Sequence, residues 1–205
     1  AQEQAQVPLL AGWNSAEIPG MAYMQGQNFS REAFITKTKL TYPDHFSEVL
    51  ELHPHANLAE VERSATDLAA DRFIAYSTWK WLDLHKNNSS QPVYRYLYSK
   101  LRPALLDKNL SAGLAGGTVK AETEAPKLKA MGAPHACEIE YAMGNLDRVK
   151  DFDWTSDDFK VSKTMLSYFA NFIKTGNPNG ENLPKWDAMD PKDTTPSYMI
   201  IDTES

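Results

Sequence analysis

Residues 132–145 read GAPHACEIEYAMGN and carry the strongest functional signal in this chain of 205 residues. His135 follows a Gly-Ala-Pro turn and precedes a run of alternating acidic and apolar residues. Histidine suits general-base chemistry, because an imidazole can take up and return a proton near neutral pH. A histidine in such a loop also fits a surface or capping role. The stretch therefore predicts a candidate base that requires an acid partner.

Composition and charge exclude several classes of partner. The formal net charge is −6 and the pI is about 5.4, so no nucleic-acid partner is expected, because phosphate binding needs a cationic surface. The single cysteine rules out an intrachain disulfide framework and a cysteine-based metal site. No apolar run approaches the roughly 18 residues that span a bilayer, so no membrane span is expected. Residues 1–6 lack the features of a signal peptide and are interpreted as a mature, trimmed or cloned end.

Three apolar segments predict strands. Residues 7–13 read VPLLAGW, a short buried strand that ends at a loop. Residues 93–98 read VYRYLY, and this β-branched and aromatic composition is typical of a strand. Residues 198–201, YMII, predict a short closing strand. Strands this far apart in the chain leave room for helices between them.

Helical patterns fill much of the intervening sequence. A short helix opens at Glu32 and ends before Tyr42, and Asp44 is the predicted N-cap of the next. Residues 58–84 predict one long helix or two shorter ones. The clearest helix runs from Asp157 to a glycine cap at Gly176.

The remaining stretch, residues 103–129, contains several glycines and two prolines and predicts a surface excursion that leads to the His135 loop. The aromatic residues near the predicted strands and the long helix are assigned to the core rather than to a ligand cage. These residues are Trp79, Trp81, Tyr94, Tyr96 and Tyr98.

The candidate acid is Glu17, in the loop that follows the first predicted strand. It precedes His135 by 118 residues. A carboxylate next to a histidine fixes the tautomer of the imidazole and stabilises the imidazolium that forms during catalysis. Glu17 could equally be a solvated loop acid. Its position in the chain agrees with a catalytic order of acid before base.

Three ordered blocks of this sequence resemble the type-B carboxylesterases, the cholinesterase-like family that includes para-nitrobenzyl esterases. They are residues 10–17, LAGWNSAE, residues 132–145, and residues 165–186, MLSYFANFIKTGNPNGENLPKW. The resemblance implies that residues 1–205 are the C-terminal portion of a single α/β-hydrolase domain, helix-rich with few remaining core strands. It also implies hydrolysis of small carboxylic esters with no metal and no organic cofactor.

Residue by residue, the resemblance makes His135 the general base and Glu17 its orienting acid. One departure is that Ala16-Glu17-Ile18 stands where the family usually has Asp-Glu-Gly. Trp13 and Tyr23 flank the Glu17 loop and are predicted to line an acyl or alcohol pocket.

The family's nucleophile elbow, Gly-Glu-Ser-Ala-Gly, and its Gly-Gly oxyanion loop have no counterpart in the sequence. The stretch most similar to this elbow, residues 109–117, reads NLSAGLAGG. Its serine, Ser111, follows Glu17 in the chain and lies only 24 residues before His135, and no strand clearly precedes it. The nucleophile is therefore expected on an absent N-terminal segment, and the isolated chain is expected to be inactive.

Other readings remain open. The cholinesterase-like fold also serves as a non-catalytic binding or adhesion module, and the fragment could be a free-standing binding domain. Removing part of a central sheet exposes a strand edge and an apolar face, so association with itself or with the missing segment is expected. A secreted or periplasmic location is favoured by family habit alone. His53 and His55 are interpreted as a turn, Cys137 as a buried small residue, and Glu138 as a helix-start carboxylate.

Overall fold

The computed structural model describes residues 3–113, 116–121, 130–194 and 197–204. Parallel strands alternate with groups of helices, which confirms the predicted α/β class, rich in helix and with few strands. The strands are β1 Leu9–Asn14, β2 Val93–Tyr98, β3 Leu110–Ala112, β4 Thr118–Lys120 and β5 Met199–Ile201. The helices are α1 Met21–Met24, α2 Arg31–Thr41, α3 Phe46–Leu52, α4 Leu58–Ala70, α5 Tyr76–Asn88, α6 Ile139–Met143 and α7 Ser156–Thr175, with a π turn Asp71–Ala75 and a 3-10 turn Leu146–Arg148.

A three-stranded parallel sheet in the order β1-β2-β5 organises the fold. Asn14 at the end of β1 pairs with Tyr98 of β2, which in turn pairs with Ile201 of β5. Parallel strands need crossover connections, and α1 to α5 join β1 to β2 while α6 and α7 join β2 to β5. The carboxyl ends of the strands therefore share one edge of the sheet. The loop that follows Asn14 begins there, with the amide of Ser15 bonded to the carbonyl of Tyr98 at 2.9 Å.

One helical rod runs from Leu58 to Asn88 and contains a π turn at Asp71–Ala75. Asn57 caps its start, since the side chain accepts a hydrogen bond from the amide of Glu60. The predicted helix over residues 58–84 is confirmed and ends four residues later. A π turn inserts an extra residue into a helix and has no clear sequence signature, so the sequence did not predict it.

The last helix, α7, packs the carboxyl-terminal part of the chain against the sheet. Thr155 and Asp158 form a reciprocal capping box at its start, and Gly176, with a φ of +75°, ends it. The fully buried ring of Tyr168 on α7 meets Trp186 at 5.1 Å in an edge-on contact. Aromatic rings from α6, α7 and β2 thus form the main core cluster.

Two of the aromatic residues assigned to the core are not buried. Trp79 is 38% exposed and Trp81 is 55% exposed, because α5 faces the sheet through Leu82, which packs with Val93 and Met189. The two tryptophans lie on other faces of that helix. Tyr94 and Tyr98 are buried as predicted, and Tyr96 packs partly buried against the core.

Two further differences concern helix starts and loops. His45, rather than Asp44, is the N-cap of α3. Within the predicted surface excursion, β3 and β4 form a short antiparallel hairpin. Residues 114, 115 and 122–129 of that stretch lie outside the described residues. Among the helices that the structure describes, none is both long and apolar enough to cross a membrane.

Candidate active site

Glu17 and His135, although 118 residues apart, meet at the carboxyl end of β1. The Nδ1 atom of His135 lies 2.7 Å from Oε2 of Glu17. Glu17 is 4% exposed, whereas the side chain of His135 is 30% exposed. When Nδ1 carries the proton and donates it to the carboxylate, the other ring nitrogen, Nε2, is the one that can accept a proton. The pair therefore has the geometry of a base and its orienting acid.

Backbone hydrogen bonds join the acid loop, residues 15–20, to the base loop, residues 132–138. The amide of Ala16 donates to the carbonyl of Ala133 at 3.0 Å, and the amide of His135 donates to the carbonyl of Glu17 at 2.9 Å. The hydroxyl of Ser15 accepts from the amide of Ala133 at 2.9 Å. Gly132 allows this approach, since a Cβ there would lie 2.6 Å from the Ser15 hydroxyl oxygen. The separation of Glu17 and His135 is thus fixed by main-chain contacts.

Burial governs the electrostatics of Glu17. Removal from water raises the pKa of the Glu17 carboxyl above its ordinary value, and the nearby charge of Glu138 acts in the same direction. Hydrogen bonds from the amide of Asn14 and from His135 oppose this shift. The ionised carboxylate consequently depends on these two donors for its stabilisation. Of these two donors, the His135 imidazole is the side chain that the carboxylate can orient.

Asn14, the last residue of β1, contacts both loops. Its side-chain Nδ2 donates to the carbonyl of Pro134 at 2.9 Å and to Oε2 of Glu138 at 2.5 Å. Glu138 is the N-cap of α6, in agreement with its prediction as a helix-start carboxylate. The helix that follows the base loop is therefore tied to the end of β1.

A buried ion pair supports the base loop from the other side. Arg102 donates to the carbonyl of Ala136 at 3.1 Å and to Oε2 of Glu140 at 2.7 Å. Its guanidinium also lies 4.7 Å from the ring centroid of Phe152. Ala136 has a φ of +62°, a backbone conformation that costs free energy in a non-glycine residue. The bond from Arg102 helps hold this conformation directly after His135.

An aromatic residue of the π turn packs on the imidazole. The ring of Phe73 is edge-on to that of His135, with centroids 5.0 Å apart and planes at 88°. Phe73 is 44% exposed. This contact could not be predicted from the sequence, because helical spacing does not reveal which residue a π turn directs toward a distant loop.

A cavity of about 260 Å³ adjoins the two loops. Ala16 and Pro134, the neighbours of Glu17 and His135 in sequence, contribute to its wall. The rest of the wall is mainly apolar and includes Phe29, Met131 and Thr66. A mainly apolar cavity with a few polar groups is typical of small-molecule sites.

The structure does not bring the two predicted substrate-binding residues to that cavity. Trp13 lines a separate depression of about 210 Å³, together with Asp71 and Leu97. Tyr23 is 3% exposed and its hydroxyl lies 3.0 Å from that of Thr38 in the core between α1, α2 and α4. Their contact with substrate remains a prediction.

The other sequence candidates have local structural roles. Ser111 lies on the β3 strand of an antiparallel hairpin, opposite Val119. Nδ1 of His55 bonds to the carbonyl of His53 at 2.8 Å within a turn. Cys137 is fully buried, as predicted, and burial raises the pKa of its thiol. Within the described ranges, no group of three or more histidine, cysteine and acidic residues has the arrangement of a metal site.

Comparison with known proteins identifies relatives over the whole chain. The sequence profile of the Carboxylesterase family matches residues 1–205. Carboxylesterase 4A of Bos taurus is 28% identical over 196 residues, which cover 89% of this chain and 32% of the relative. A fatty acyl-CoA hydrolase precursor, medium chain, of Anas platyrhynchos is 27% identical over 215 residues, which cover 96% and 34%. The chain thus spans about a third of the length of these curated relatives.

Proposed function

This chain belongs to the carboxylesterase family, and we propose that it supplies the general base His135 and the orienting acid Glu17 to a serine ester hydrolase. The observation that carries the proposal is the 2.7 Å contact between Nδ1 of His135 and the buried carboxylate of Glu17. A binding module has no need of a matched acid and base. The non-catalytic alternative therefore leaves this pair without a role.

In the proposed mechanism, a serine from another part of the enzyme attacks the ester carbonyl. Nε2 of His135 takes the serine proton as the bond to the acyl carbon forms, and Glu17 stabilises the resulting imidazolium. The imidazolium then donates its proton to the departing alcohol, which leaves an acyl-enzyme. Water repeats the sequence and releases the carboxylic acid. No metal or organic cofactor takes part in these steps.

The serine is proposed to lie on a segment N-terminal to these residues, so that residues 1–205 form the C-terminal portion of one hydrolase domain. Ser111 is a poor alternative, because a nucleophile elbow requires a sharp turn from a strand into a helix. The antiparallel hairpin around Ser111 has a different geometry. The oxyanion donors are expected on the same absent segment.

The substrate is proposed to be a small carboxylic ester that occupies the cavity beside Ala16 and Pro134. Its mainly apolar wall suits the acyl or alcohol group of such an ester. Trp13 and Tyr23 remain predicted contributors, Trp13 through the neighbouring depression. A location outside the cytoplasm, inferred from family habit, also stays a prediction.

The test is a single substitution in the full-length gene product. His135→Ala should reduce hydrolysis of p-nitrophenyl acetate by at least about 10³-fold, because the serine loses its base. The matched control is His45→Ala, since His45 lies on the surface and its imidazole pairs with the exposed carboxylate of Glu48. Equal activities of the two variants would overturn the assignment of His135.

A further inference from the structure

We propose that Asn14 is a positioning residue that connects the acid loop, the base loop and the carboxylate of Glu138, and so holds Glu17 where its carboxylate orients His135. The inference rests on the proposed function, because it assigns a role within that acid-base pair. It deepens that function through a residue that neither touches the imidazole nor takes part in proton transfer.

The backbone of Asn14 fixes one oxygen of the acid. Its amide donates to Oε1 of Glu17 at 2.7 Å, which leaves Oε2 for Nδ1 of His135. A carboxylate held at one oxygen by a main-chain donor cannot rotate without losing that bond. The amide therefore selects the oxygen that faces the imidazole.

The side chain of Asn14 fixes the base loop. Its amide group has two protons, and these are donated to the carbonyl of Pro134 and to Oε2 of Glu138. Pro134 directly precedes His135, and Glu138 stands at the N-cap position of the helix that follows the loop. Asn14 is 3% exposed, so water cannot readily replace these bonds. Both ends of the base loop are consequently attached to one buried side chain.

The chemistry at this position favours asparagine. An aspartate of the same shape would direct a carboxylate oxygen at two acceptors, the Pro134 carbonyl and the Glu138 carboxylate. An alanine would leave both acceptors without a donor in a buried site. Glu138 is also close enough to Glu17 for its charge to act on that residue. By binding Glu138, Asn14 restrains a second carboxylate that lies near Glu17.

The test compares Asn14→Ala and Asn14→Asp with Asn171→Ala in the full-length gene product. Asn171 is a matched control, since its side-chain amide likewise donates two hydrogen bonds, in this case to the backbone carbonyls of Pro178 and Asn179, away from the acid-base pair. All three variants should lose thermal stability. Only the Asn14 variants should lower kcat, by about 10- to 100-fold with KM changed less than twofold, because orientation rather than binding is lost.

Two readouts separate positioning from general destabilisation. The acid limb of the kcat/KM profile should move to lower pH in Asn14→Ala and stay in place in Asn171→Ala, since only the first substitution weakens the contact between Glu17 and His135 without adding a charge. Adding Glu138→Gln to Asn14→Asp should restore at least a third of the lost activity, because the glutamine amide can donate to the aspartate. A kcat loss in Asn171→Ala equal to that in Asn14→Ala, or no rescue in the double variant, would overturn the proposal.

A third readout does not depend on esterase activity. The proton between Nδ1 of His135 and Oε2 of Glu17 should give a low-field NMR resonance that persists in Asn171→Ala and shifts or broadens in Asn14→Ala. If the full-length protein hydrolysed no ester, the proposed function would fail while this resonance still tested Asn14. An unchanged resonance in Asn14→Ala would refute the positioning role whatever the activity.

Discussion

The ring of Phe73 stands edge-on to the imidazole of His135 at a centroid separation of 5.0 Å. The contact links the π turn of the long helical rod to the proposed catalytic base. The contact limits rotation of the imidazole, which is also held by the hydrogen bond between its Nδ1 atom and Glu17. We therefore expect the orientation of the His135 ring to depend on the π turn that carries Phe73 as well as on Glu17.

The first prediction concerns this aromatic contact. Phe73→Ala in the full-length protein should lower the proposed kcat for p-nitrophenyl acetate between about 2- and 10-fold, the range that corresponds to the free energy of an edge-on aromatic pair. Tyr76→Ala is the control, because Tyr76 lies on the same helical rod, is 59% exposed and stacks on Trp79 instead. Steady-state kinetics of both variants check the prediction, and a larger loss in Tyr76→Ala would contradict it.

The second prediction is that Glu17→Gln has opposite effects on activity and on stability. Glu17→Gln should lower kcat by about 10³- to 10⁴-fold, because the imidazole is no longer held in the correct tautomer. The same substitution removes a buried charge whose desolvation raises the pKa of Glu17. The stabilising contribution of the protonated Glu17 is complete below the ordinary pKa of 4.5 and is lost as pH rises through the raised value in the folded state.

Relative to the wild type, Glu17→Gln should therefore gain stability as pH increases from about 4 to 7. Denaturant unfolding at a series of pH values measures this difference, and Glu48→Gln provides an exposed control. A variant that lost stability relative to the wild type over the same range would show that the native contacts of the carboxylate outweigh its burial.

The third prediction concerns Asp158, which anchors α7. Its carboxylate accepts hydrogen bonds from Tyr141 and Thr155 and lies 2.9 Å from the ammonium of Lys100. Burial opposes ionisation, but these donors prevail and lower the pKa of Asp158 below 3.8. Asp158→Asn should destabilise the protein by about 3 kcal/mol at pH 7, because a buried ion pair loses one partner.

This stabilising contribution is present above pH 3.8 and is lost as pH falls through the lower folded-state pKa, so the two proteins should converge in strong acid. Equilibrium unfolding at pH 7 and below pH 3 provides the measurement. Asp157→Asn, on the exposed side of the same helix start, should cost less than about 1 kcal/mol. Equal losses in the two variants would refute the special role of Asp158.

The fourth prediction is that the chain associates in isolation. In the described part of the chain, β1 is hydrogen-bonded on one edge only, and an unpaired strand edge invites pairing with another chain. Sedimentation velocity should show dimers or larger species that the upstream segment converts to a defined complex. A monomer with a single sharp melting transition would contradict this expectation.

Local sequence patterns predicted the frame of the site well. The apolar run before Asn14 and the aromatic run before Ser99 define β1 and β2, and both were confirmed. Parallel strands place their carboxyl ends at one edge of the sheet. An acid directly after β1 was therefore expected at that edge, close to the loop that carries the base. The resemblance to carboxylesterases, which the family match confirms, identified which acid and which histidine to consider.

Features that depend on long-range contacts could not be predicted in this way. The π turn that directs Phe73 at His135, the bonds from Asn14 to Pro134 and Glu138, and the support from Arg102 all join residues far apart in the chain. Periodicity also failed for Trp79 and Trp81, whose side chains lie on helix faces that the sheet does not cover. Such contacts require the three-dimensional arrangement of several elements.

The most direct test of the central claim is a complementation assay with p-nitrophenyl acetate. This chain is assayed alone and mixed with a recombinant upstream segment, with assembly verified by size-exclusion chromatography. Hydrolysis should occur only in the mixture, be lost with His135→Ala and persist with Ser111→Ala. Hydrolysis by the isolated chain, or no hydrolysis in an assembled mixture, would contradict the claim that the chain contributes an acid and a base to a nucleophile carried elsewhere.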